Sequence, residues 1–271
     1  MFDQVIDIAR EAGRIVLKYY GQEYRVEYKD DAQIDPVTTA DYEADDFIRK
    51  KLSQAFPDDK VLSEEAEHDD KPQDYNGNVW MVDPLDGTKN FVKGKTGFCV
   101  MIGLCRDGVP VLGVVYAPVS KELYYAGKGS GAWYKKANSK PVRMRVASAA
   151  KLSDAVKVKT GDKTPIPKAR LRSLKTREVL RKGSTGLKIC TVASGKAHVF
   201  LCPYLTTSKW DVCAPQVILK EAGGRLTFLD GKPLDYKQES PVWGKPFLAS
   251  NNKLHEEALS FLSESYQNKR T

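Results

Sequence analysis

Four acidic residues in largely apolar sequence could together hold a divalent cation. Asp83 and Asp86 lie in WMVDPLDGT, and Glu64 lies in LSEE. Asp211 lies in KWDVCAPQVILKEAGG. Two carboxylates about 4 Å apart repel each other by roughly 4 kcal/mol at an effective dielectric near 20. A fold that gathers these groups therefore needs a cation to hold them, and metal-dependent hydrolysis is the chemistry that this pattern favours.

The hexapeptide Asp83–Thr88 carries the strongest of these patterns. An apolar stretch before it predicts a strand, so the hexapeptide lies at a strand's carboxyl end, where α/β proteins commonly build sites. Gly87 permits a sharp turn or the close approach of a phosphate. Asp83 and Asp86 can then converge with the carbonyl of Leu85. The structural alternative for the isolated hexapeptide is a simple Asp-Gly turn.

Each remaining acidic residue also has a structural alternative. Asp211 follows Trp210 at a predicted helix start, where an acidic residue can serve as a cap that the helix dipole favours. Surface glutamate pairs such as Glu64-Glu65 are common. Asp41, in DPVTTAD, is either a capping acid or a catalytic carboxylate. The metal interpretation rests on the three segments occurring together.

The ligand set predicts which ion would bind. Oxygen ligands without histidine or thiolate suit a hard divalent cation, so Mg²⁺ is favoured and Mn²⁺ is a substitute. A zinc site is not expected, because the histidines lie outside the acidic motifs: His68, His198 and His255. The cysteines show no zinc or disulfide spacing and predict buried, reduced thiols: Cys99, Cys105, Cys190, Cys202 and Cys213.

Hydrophobic periodicity predicts the elements that must position these residues. Helices are predicted at residues 3–20, Thr39–Ala55 with Thr38 or Thr39 as N-cap, Trp210–Glu221 and Lys253–Ser263. A separate strand is predicted at Val79–Val82. An antiparallel meander is predicted up to about residue 146, with strands at Phe98–Leu104, Val109–Tyr116 after a turn at Asp107-Gly108, and Glu122–Ala126. Further strands are predicted at Leu187–Val192, Ala197–Leu201, Arg225–Leu229 and Lys232–Tyr236.

The overall charge indicates which classes of binding partner are expected. The 271 residues carry a net charge of +8, from 43 Lys+Arg against 35 Asp+Glu. Much of the excess lies between Lys157 and Lys182, either as a solvated basic face or as a field that attracts a polyanionic substrate. No aromatic-rich RNA motif or recognition helix supports nucleic-acid binding.

No apolar stretch is long enough to span a membrane, and the amphipathic start is not a signal peptide, so a cytoplasmic protein is expected.

The acidic segments, in this order and spacing, resemble the lithium-sensitive, magnesium-dependent phosphatase superfamily of inositol monophosphatases, fructose-1,6-bisphosphatases and 3'(2'),5'-bisphosphate nucleotidases. DPVTTAD resembles its DxVTxxD segment, LSEE its acidic loop, DPLDGT its metal signature and WDVCAPQVILKEAGG its C-terminal signature. The resemblance implies a layered αβαβα sandwich. It further implies an α+β domain followed by an α/β domain. With the boundary that the change in sequence character places near residues 145–155, the α+β domain covers residues 1–148 with most of the metal ligands, and the α/β domain covers residues 149–271 with Asp211 and substrate-binding elements.

The same resemblance implies residue roles. Thr88, with Glu64 or Asp41 as its carboxylate partner, would orient and help to deprotonate the attacking water. Two or three Mg²⁺ ions would be held by Glu64, Asp83, the Leu85 carbonyl, Asp86 and Asp211.

Three features resemble the bisphosphate nucleotidases in particular. Lys89 follows DGT where inositol monophosphatases usually carry Thr, and Tyr204 lies where they carry Glu. Ser184–Lys188 resembles a nucleotidase S-x-x-K phosphate-binding stretch, with Thr185 in place of Ser and Lys188 as the cation. The predicted substrate-binding residues are therefore Gly87, Thr88, Lys89, Thr185, Lys188 and Asp211.

The expected reaction is Mg²⁺-dependent hydrolysis of the 3'-phosphate of adenosine 3',5'-bisphosphate to AMP and phosphate. An inositol monophosphatase or broad sugar-phosphate phosphatase is the alternative, and Val156–Lys182, shorter and more irregular than in relatives, leaves specificity open. An RNA-associated regulatory protein is the non-enzymatic alternative, with salt-dependent RNA affinity that survives loss of Asp83. The resemblance also implies lithium sensitivity, and homodimers are common among its members.

Overall fold

Alternating layers of helix and sheet make up the part of the protein that the structure describes. The structure is a computed structural model that describes residues 1–29, 35–67, 72, 74–158 and 176–267, with side chains described to residue 262. Most of the basic run between Lys157 and Lys182 lies outside the described residues, as does His68. None of the described helices is long and apolar enough to cross a bilayer.

Side-chain caps mark the start of three of the described helices. At the second helix, Thr38 and Asp41 form a capping box, in which each side chain accepts a hydrogen bond from the other end of the first turn. The helices are α1 Phe2–Tyr19, α2 Thr39–Ala55, α3 Thr88–Val92, α4 Thr185–Ala193, α5 Lys209–Glu221 and α6 His255–Gln267. A short 3₁₀ helix covers Leu152–Asp154.

The larger sheet is a meander with one parallel edge. Its strands lie in chain order, and only the first pair is parallel. The hairpin turn at Asp107-Gly108 has positive φ angles of 49° and 82°, as a two-residue turn between twisted strands requires. The strands are β3 Lys60–Ser63, β4 Asn78–Asp86, β5 Cys99–Arg106, β6 Val109–Ala117, β7 Glu122–Gly127, β8 Gly131–Lys136 and β9 Val142–Met144.

A smaller sheet follows in the second half of the chain, and a two-stranded antiparallel ribbon precedes α2. The smaller sheet has the order β11-β10-β12-β14-β13, with β10 parallel to both of its neighbours. Its strands are β10 Val156–Val158, β11 Glu178–Leu180, β12 Val199–Cys202, β13 Arg225–Phe228 and β14 Phe247–Ser250. The ribbon strands are β1 Val26–Tyr28 and β2 Pro36–Thr38.

Side-chain alternation along β4 shows how the layers are held together. Trp80 and Val82 pack into the core formed with α1 and α2. Val79 and Met81 point the other way, into the core shared with α4, α5 and the smaller sheet. The far face of the smaller sheet packs on α6. The order is thus α1/α2, large sheet, α4/α5, small sheet, α6, which confirms the αβαβα sandwich.

The core between the sheets contains residues from both predicted domains. The domain division at residues 148 and 149 therefore stays a prediction. The predicted burial of the cysteines as free thiols is confirmed for all five.

Two glycines let α5 lie directly on the large sheet. A Cβ at Gly103 would be 2.7 Å from the Cys213 sulfur, and one at Gly113 would be 2.2 Å from the Ala214 carbonyl oxygen. No larger residue fits there without displacing the helix. Because Asp211 lies in the first turn of α5, these glycines help to set its height above β4.

Two predicted elements are wrong. The strand predicted at Leu187–Val192 lies within α4, whose residues from Gly186 to Ala193 are all buried. A short apolar run has no periodicity that separates a strand from a buried helix. The strand predicted at Lys232–Tyr236 has no regular structure, since it follows a tight turn in which the Phe228 N–H donates to the Lys232 carbonyl. The other predicted helices and strands are confirmed within a few residues.

A buried histidine makes the stability of the fold sensitive to acid. The imidazole of His255 hydrogen bonds with the hydroxyls of Ser250 and Thr227 at 2.8 and 2.9 Å. Burial, followed by the charge of Arg225, lowers the His255 pKa to about 4. The folded state therefore stays unprotonated while the unfolded chain, with a histidine pKa near 6.5, takes up a proton.

We expect His255→Gln to remove part of this acid sensitivity. For the natural protein, the contribution of His255 to the free energy of unfolding falls as the pH drops from about 6.5 to about 4, by about 2–3 kcal/mol in all. Urea denaturation at pH 7.5 and pH 4.5 measures the loss, which should be smaller in the variant. Equal losses in the two proteins would show that His255 does not titrate in this way.

Candidate functional site

The end of β4 is irregular, and the irregularity brings two carboxylates to one side. Asp83 pairs with Met101 and Asp86 pairs with Cys99, so three steps on β4 match two on β5. Such a bulge bends the strand and redirects its side chains. The Asp83 carboxylate also accepts a hydrogen bond from the Leu85 N–H at 3.0 Å, which fixes its direction.

The chain then turns sharply into α3. Gly87 has a φ of 103°, and a Cβ there would be 2.8 Å from the Gly97 carbonyl oxygen, so only glycine fits. The turn places Thr88 in the first turn of α3, and its hydroxyl lies 3.1 Å from Asp41 Oδ1 and 3.0 Å from the Leu85 carbonyl oxygen.

Asp86 is fixed by the start of another helix. Its carboxylate accepts hydrogen bonds from the backbone N–H groups of Thr185 at 3.2 Å and Gly186 at 2.6 Å, in the first turn of α4. Ser184 caps the same helix through its side chain. The stretch predicted to hold phosphate therefore also binds a predicted metal ligand.

Two acids serve as helix caps and as part of the site at once. Asp211 accepts from the Ser208 N–H at 2.5 Å in the capping box of α5. Asp41 accepts from the N–H and the hydroxyl of Thr38 at 2.8 and 2.5 Å. The capping role that the sequence allowed is therefore real for both, and it orients the second oxygen of each carboxylate.

Asp83, Asp86 and Asp211 converge. One carboxylate oxygen from each lies within 4.8 Å of the others, a spacing at which a metal ion could be shared. Burial is the main cause of the raised pKa of all three groups, and for Asp83 and Asp211 the charges of Glu64 and the neighbouring aspartates raise it further. Bound cations of the right size would relieve this repulsion.

Glu64 lines the same cavity but is held by a lysine. Lys29 Nζ lies 2.9 Å from the Glu64 carboxylate and 2.7 Å from that of Glu65. Burial and the charge of Glu64 raise the pKa of Glu65 to about 8, although Lys29 acts against this. Lys29 thus partly neutralises the charges of Glu64 and Glu65. Sequence analysis did not predict this role of Lys29.

The Thr88 hydroxyl has one proton and two acceptors within reach. It can donate to Asp41 or to the Leu85 carbonyl, which leaves its oxygen free to accept from a water in the cavity. Burial raises the pKa of Asp41 to about 6, while the hydrogen bonds from Thr38 lower it. At neutral pH, Asp41 is therefore largely ionised and can accept the Thr88 proton.

A cavity of about 850 Å³ opens above these carboxylates. Its lining includes most of the predicted site: Glu64, Asp83, Leu85, Asp86, Gly87, Thr88, Lys89, Thr185 and Asp211. Asp41 lies beneath Thr88 and reaches the cavity through it. Sequence analysis missed Lys29, Asn90 and Lys93, which also line the cavity.

Lys188 is the exception. It does not line the cavity, its side chain is buried, and its ammonium lies 5.6 Å from the centre of the Phe200 ring. Its positive charge acts against burial, which raises the pKa of Asp86 overall. The predicted direct contact with a substrate phosphate finds no support in this geometry, because α4 turns its fourth residue into the core.

Comparisons with known proteins agree with this geometry. The profile of the Inositol monophosphatase family matches residues 1–267. The histidinol-phosphatase of Mycobacterium tuberculosis is 35% identical over 95% of this chain and 94% of its own, and the 3'(2'),5'-bisphosphate nucleotidase CysQ of Salmonella typhimurium is 36% identical over 87% and 94%. The solved structure of Thermotoga maritima IMPase superimposes with a TM-score of 0.83 at 30% identity, covering 98% of each chain.

Proposed function

Because this chain belongs to the inositol monophosphatase family, we propose that it is a phosphatase that removes the 3'-phosphate of adenosine 3',5'-bisphosphate, yielding AMP and inorganic phosphate. The observation that carries the proposal is the convergence of Asp83, Asp86 and Asp211 beside a cavity lined by several lysines. Negative charge at the base and positive charge at the rim suit a phosphate ester bound through cations.

The donor set fits a divalent metal. Three carboxylates within 4.8 Å, all with a pKa raised by burial, form an oxygen-only cluster of the kind that Mg²⁺ prefers, with Mn²⁺ as a substitute. Asp83, Asp86, Asp211, the Leu85 carbonyl and Glu64 would hold two or three such ions. When bound, the ions would supply charge neutralisation at the phosphoryl group and activation of water.

The chain's own residues position the other reactants. Thr88 orients a water through its hydroxyl oxygen, and Asp41 accepts the hydroxyl proton. The N–H groups at the start of α4 remain committed to Asp86, so they keep this carboxylate fixed while substrate enters.

The rim of the cavity supports a substrate with two phosphates. Lys89 and Lys93 lie on one side of the cavity, one turn apart on and just after α3. Lys89 has an exposed partner, Asp35, at 3.7 Å, a long contact that an incoming phosphate can replace. Tyr204 also lines the cavity, where its ring can pack against a base.

A substrate panel tests the proposal. With Mg²⁺ present, we expect kcat/KM for adenosine 3',5'-bisphosphate to exceed that for inositol 1-phosphate, histidinol phosphate and AMP by at least tenfold. Lys89→Ala should reduce the preference for the bisphosphate while leaving inositol 1-phosphate hydrolysis within about twofold, since only the bisphosphate offers a second anion. Equal or better turnover of inositol phosphate or histidinol phosphate would refute the nucleotidase assignment, and no phosphatase activity on any of them would refute the function altogether.

A buried pair next to Glu64 should set how tightly the divalent ion binds. Ser63 donates its hydroxyl to Asp45, and Arg49 Nε bonds to the same carboxylate at 2.7 Å. Ser63 and Asp45 are both essentially inaccessible to solvent. Because Ser63 directly precedes Glu64, this bond ties the end of β3 to α2.

We expect Ser63→Ala to raise the Mg²⁺ concentration for half-maximal activity by about tenfold, since residues that orient metal ligands commonly affect affinity by 10–100-fold. Isothermal titration of the metal without substrate should show the same weakening. Ser53→Ala, an exposed change on α2, is the control. A variant that only melts at a lower temperature, with unchanged metal affinity, would show that Ser63 is purely structural.

A further inference from the structure

We propose that a second cavity, which shares no lining residue with the acidic one, binds the phosphate groups of a small polyanion. It has a volume of about 280 Å³ and is lined by residues of α1 and of strands β6, β7 and β8 with their adjoining turns. Its functional lining consists of Arg10, Tyr116, Lys121, Leu123, Lys135 and Asn138.

The floor of this cavity is a row of paired residues across three strands. Tyr116 on β6 lies opposite Leu123 on β7, and Leu123 lies opposite Lys135 on β8. Directly paired residues share one face of a sheet, so all three point to the side that α1 covers. Arg10 on α1 then forms a wall, and Lys135 lies at the open end of the row.

Three cations face this space with little to neutralise them. Arg10 has one ion-pair partner, Asp7, at a long 3.8 Å, and Asp7 is itself mostly exposed. Within the described part of the chain, no carboxylate lies within ion-pair distance of Lys121 or Lys135. Glu122, the neighbour of Lys121, instead accepts from Tyr134 at 2.9 Å on the opposite face.

The backbone of the rim is held in a conformation that these residues rarely adopt. Lys121 and Ala137 have positive φ angles of 53° and 47°, and they account for two of the four such non-glycine residues among the described positions. The Ala137 N–H donates to the Lys121 carbonyl at 2.7 Å, which locks the two turns together. Unusual backbone geometry of this kind is concentrated at binding sites.

The chemistry of the lining selects the ligand. A planar guanidinium binds two phosphate oxygens at once, and ammonium groups add point charges without directional demands. Three cations in so small a space match an anion with two or more charges, such as a diphosphate group. The Asn138 side chain adds a neutral donor at the rim.

Pyrophosphate binding without divalent ions tests the proposal independently of catalysis. In the presence of a chelator, the carboxylates of the acidic cavity have no bound cation and oppose an anion there, and the Lys121/Lys135 variant shows which cavity holds the pyrophosphate. We expect isothermal titration of the full chain at low salt to show one site. Lys121→Ala with Lys135→Ala should weaken it at least tenfold.

The matched control is Lys128→Ala with Lys253→Ala, which removes the same charge from exposed positions elsewhere. This control should change the dissociation constant less than twofold. Hydrolysis of the substrate by the Lys121/Lys135 variant should stay normal, which separates this proposal from the proposed function. No pyrophosphate binding by the natural protein, or equal weakening in the two double variants, would overturn the proposal.

Discussion

Asp83→Asn should lower kcat/KM by about a thousandfold or more, because loss of one of the proposed metal ligands would forfeit several kcal/mol of transition-state stabilisation. The replacement should leave the fold intact. The Asn amide oxygen can still accept a hydrogen bond from the Leu85 N–H. The free-energy cost of burying a charge and the repulsion from the neighbouring acids, which raise the Asp83 pKa, are both absent for the neutral amide. In the metal-free state, we therefore expect the variant to melt at a higher temperature than the natural protein.

Thermal melting with and without Mg²⁺ provides a readout that does not depend on turnover. The natural protein should gain stability as Mg²⁺ is added, following the occupancy of the site, and Asp83→Asn should gain much less. Asp46→Asn, an exposed change on α2, serves as the control and should behave like the natural protein. Near-normal turnover of Asp83→Asn at saturating Mg²⁺ would contradict the metal-site interpretation.

Asp86→Asn would remove the other aspartate of the motif, but it is a less specific test of metal binding because Asp86 also stabilises the start of α4. Its two oxygens accept the N–H groups of Thr185 and Gly186, and an amide can accept at only one oxygen. We therefore attribute any loss of stability in Asp86→Asn to the start of α4.

Thr88→Ala should lower kcat by about a hundredfold to a thousandfold while the affinity for Mg²⁺ changes little, since general acid–base catalysis typically contributes 10²–10⁴. The Thr88 hydroxyl is the only described group that links Asp41 to the cavity by a hydrogen bond. Asp41→Asn should therefore cause a loss of similar size.

The two changes should not add. If Thr88 and Asp41 act as one unit, the double variant should be about as slow as the slower single variant. Thr88→Ser keeps the hydroxyl and should restore most of the activity, which separates a chemical role from a packing role. Multiplicative losses, or a serine variant as slow as the alanine variant, would show that the two residues act separately. Because Asp41 also caps α2, melting temperatures of all variants must accompany the kinetics.

The chemical groups of the site and their local geometry follow from short stretches of sequence. The Asp83–Thr88 segment requires a turn at Gly87, and the helix starts that the sequence predicts near residues 38 and 210 place Asp41 and Asp211 in the first turns of helices. These features depend on residues a few positions apart, so local stereochemistry fixes them. The same motifs also carry the family resemblance, and with it the layered fold.

Which of these groups lie close together depends on long-range packing. Residues some hundred positions apart, such as Asp86 and Gly186, come within hydrogen-bond distance only through sheet packing. Lys188 points inward because it lies in helix α4, which is buried between the two sheets. The apolar run of this helix could not be distinguished from a strand by its sequence. The cationic cavity likewise depends on strand register and on how α1 packs on the sheet. Local sequence is compatible with more than one arrangement of these segments, and the long-range packing of helices and sheets determines which arrangement forms the site.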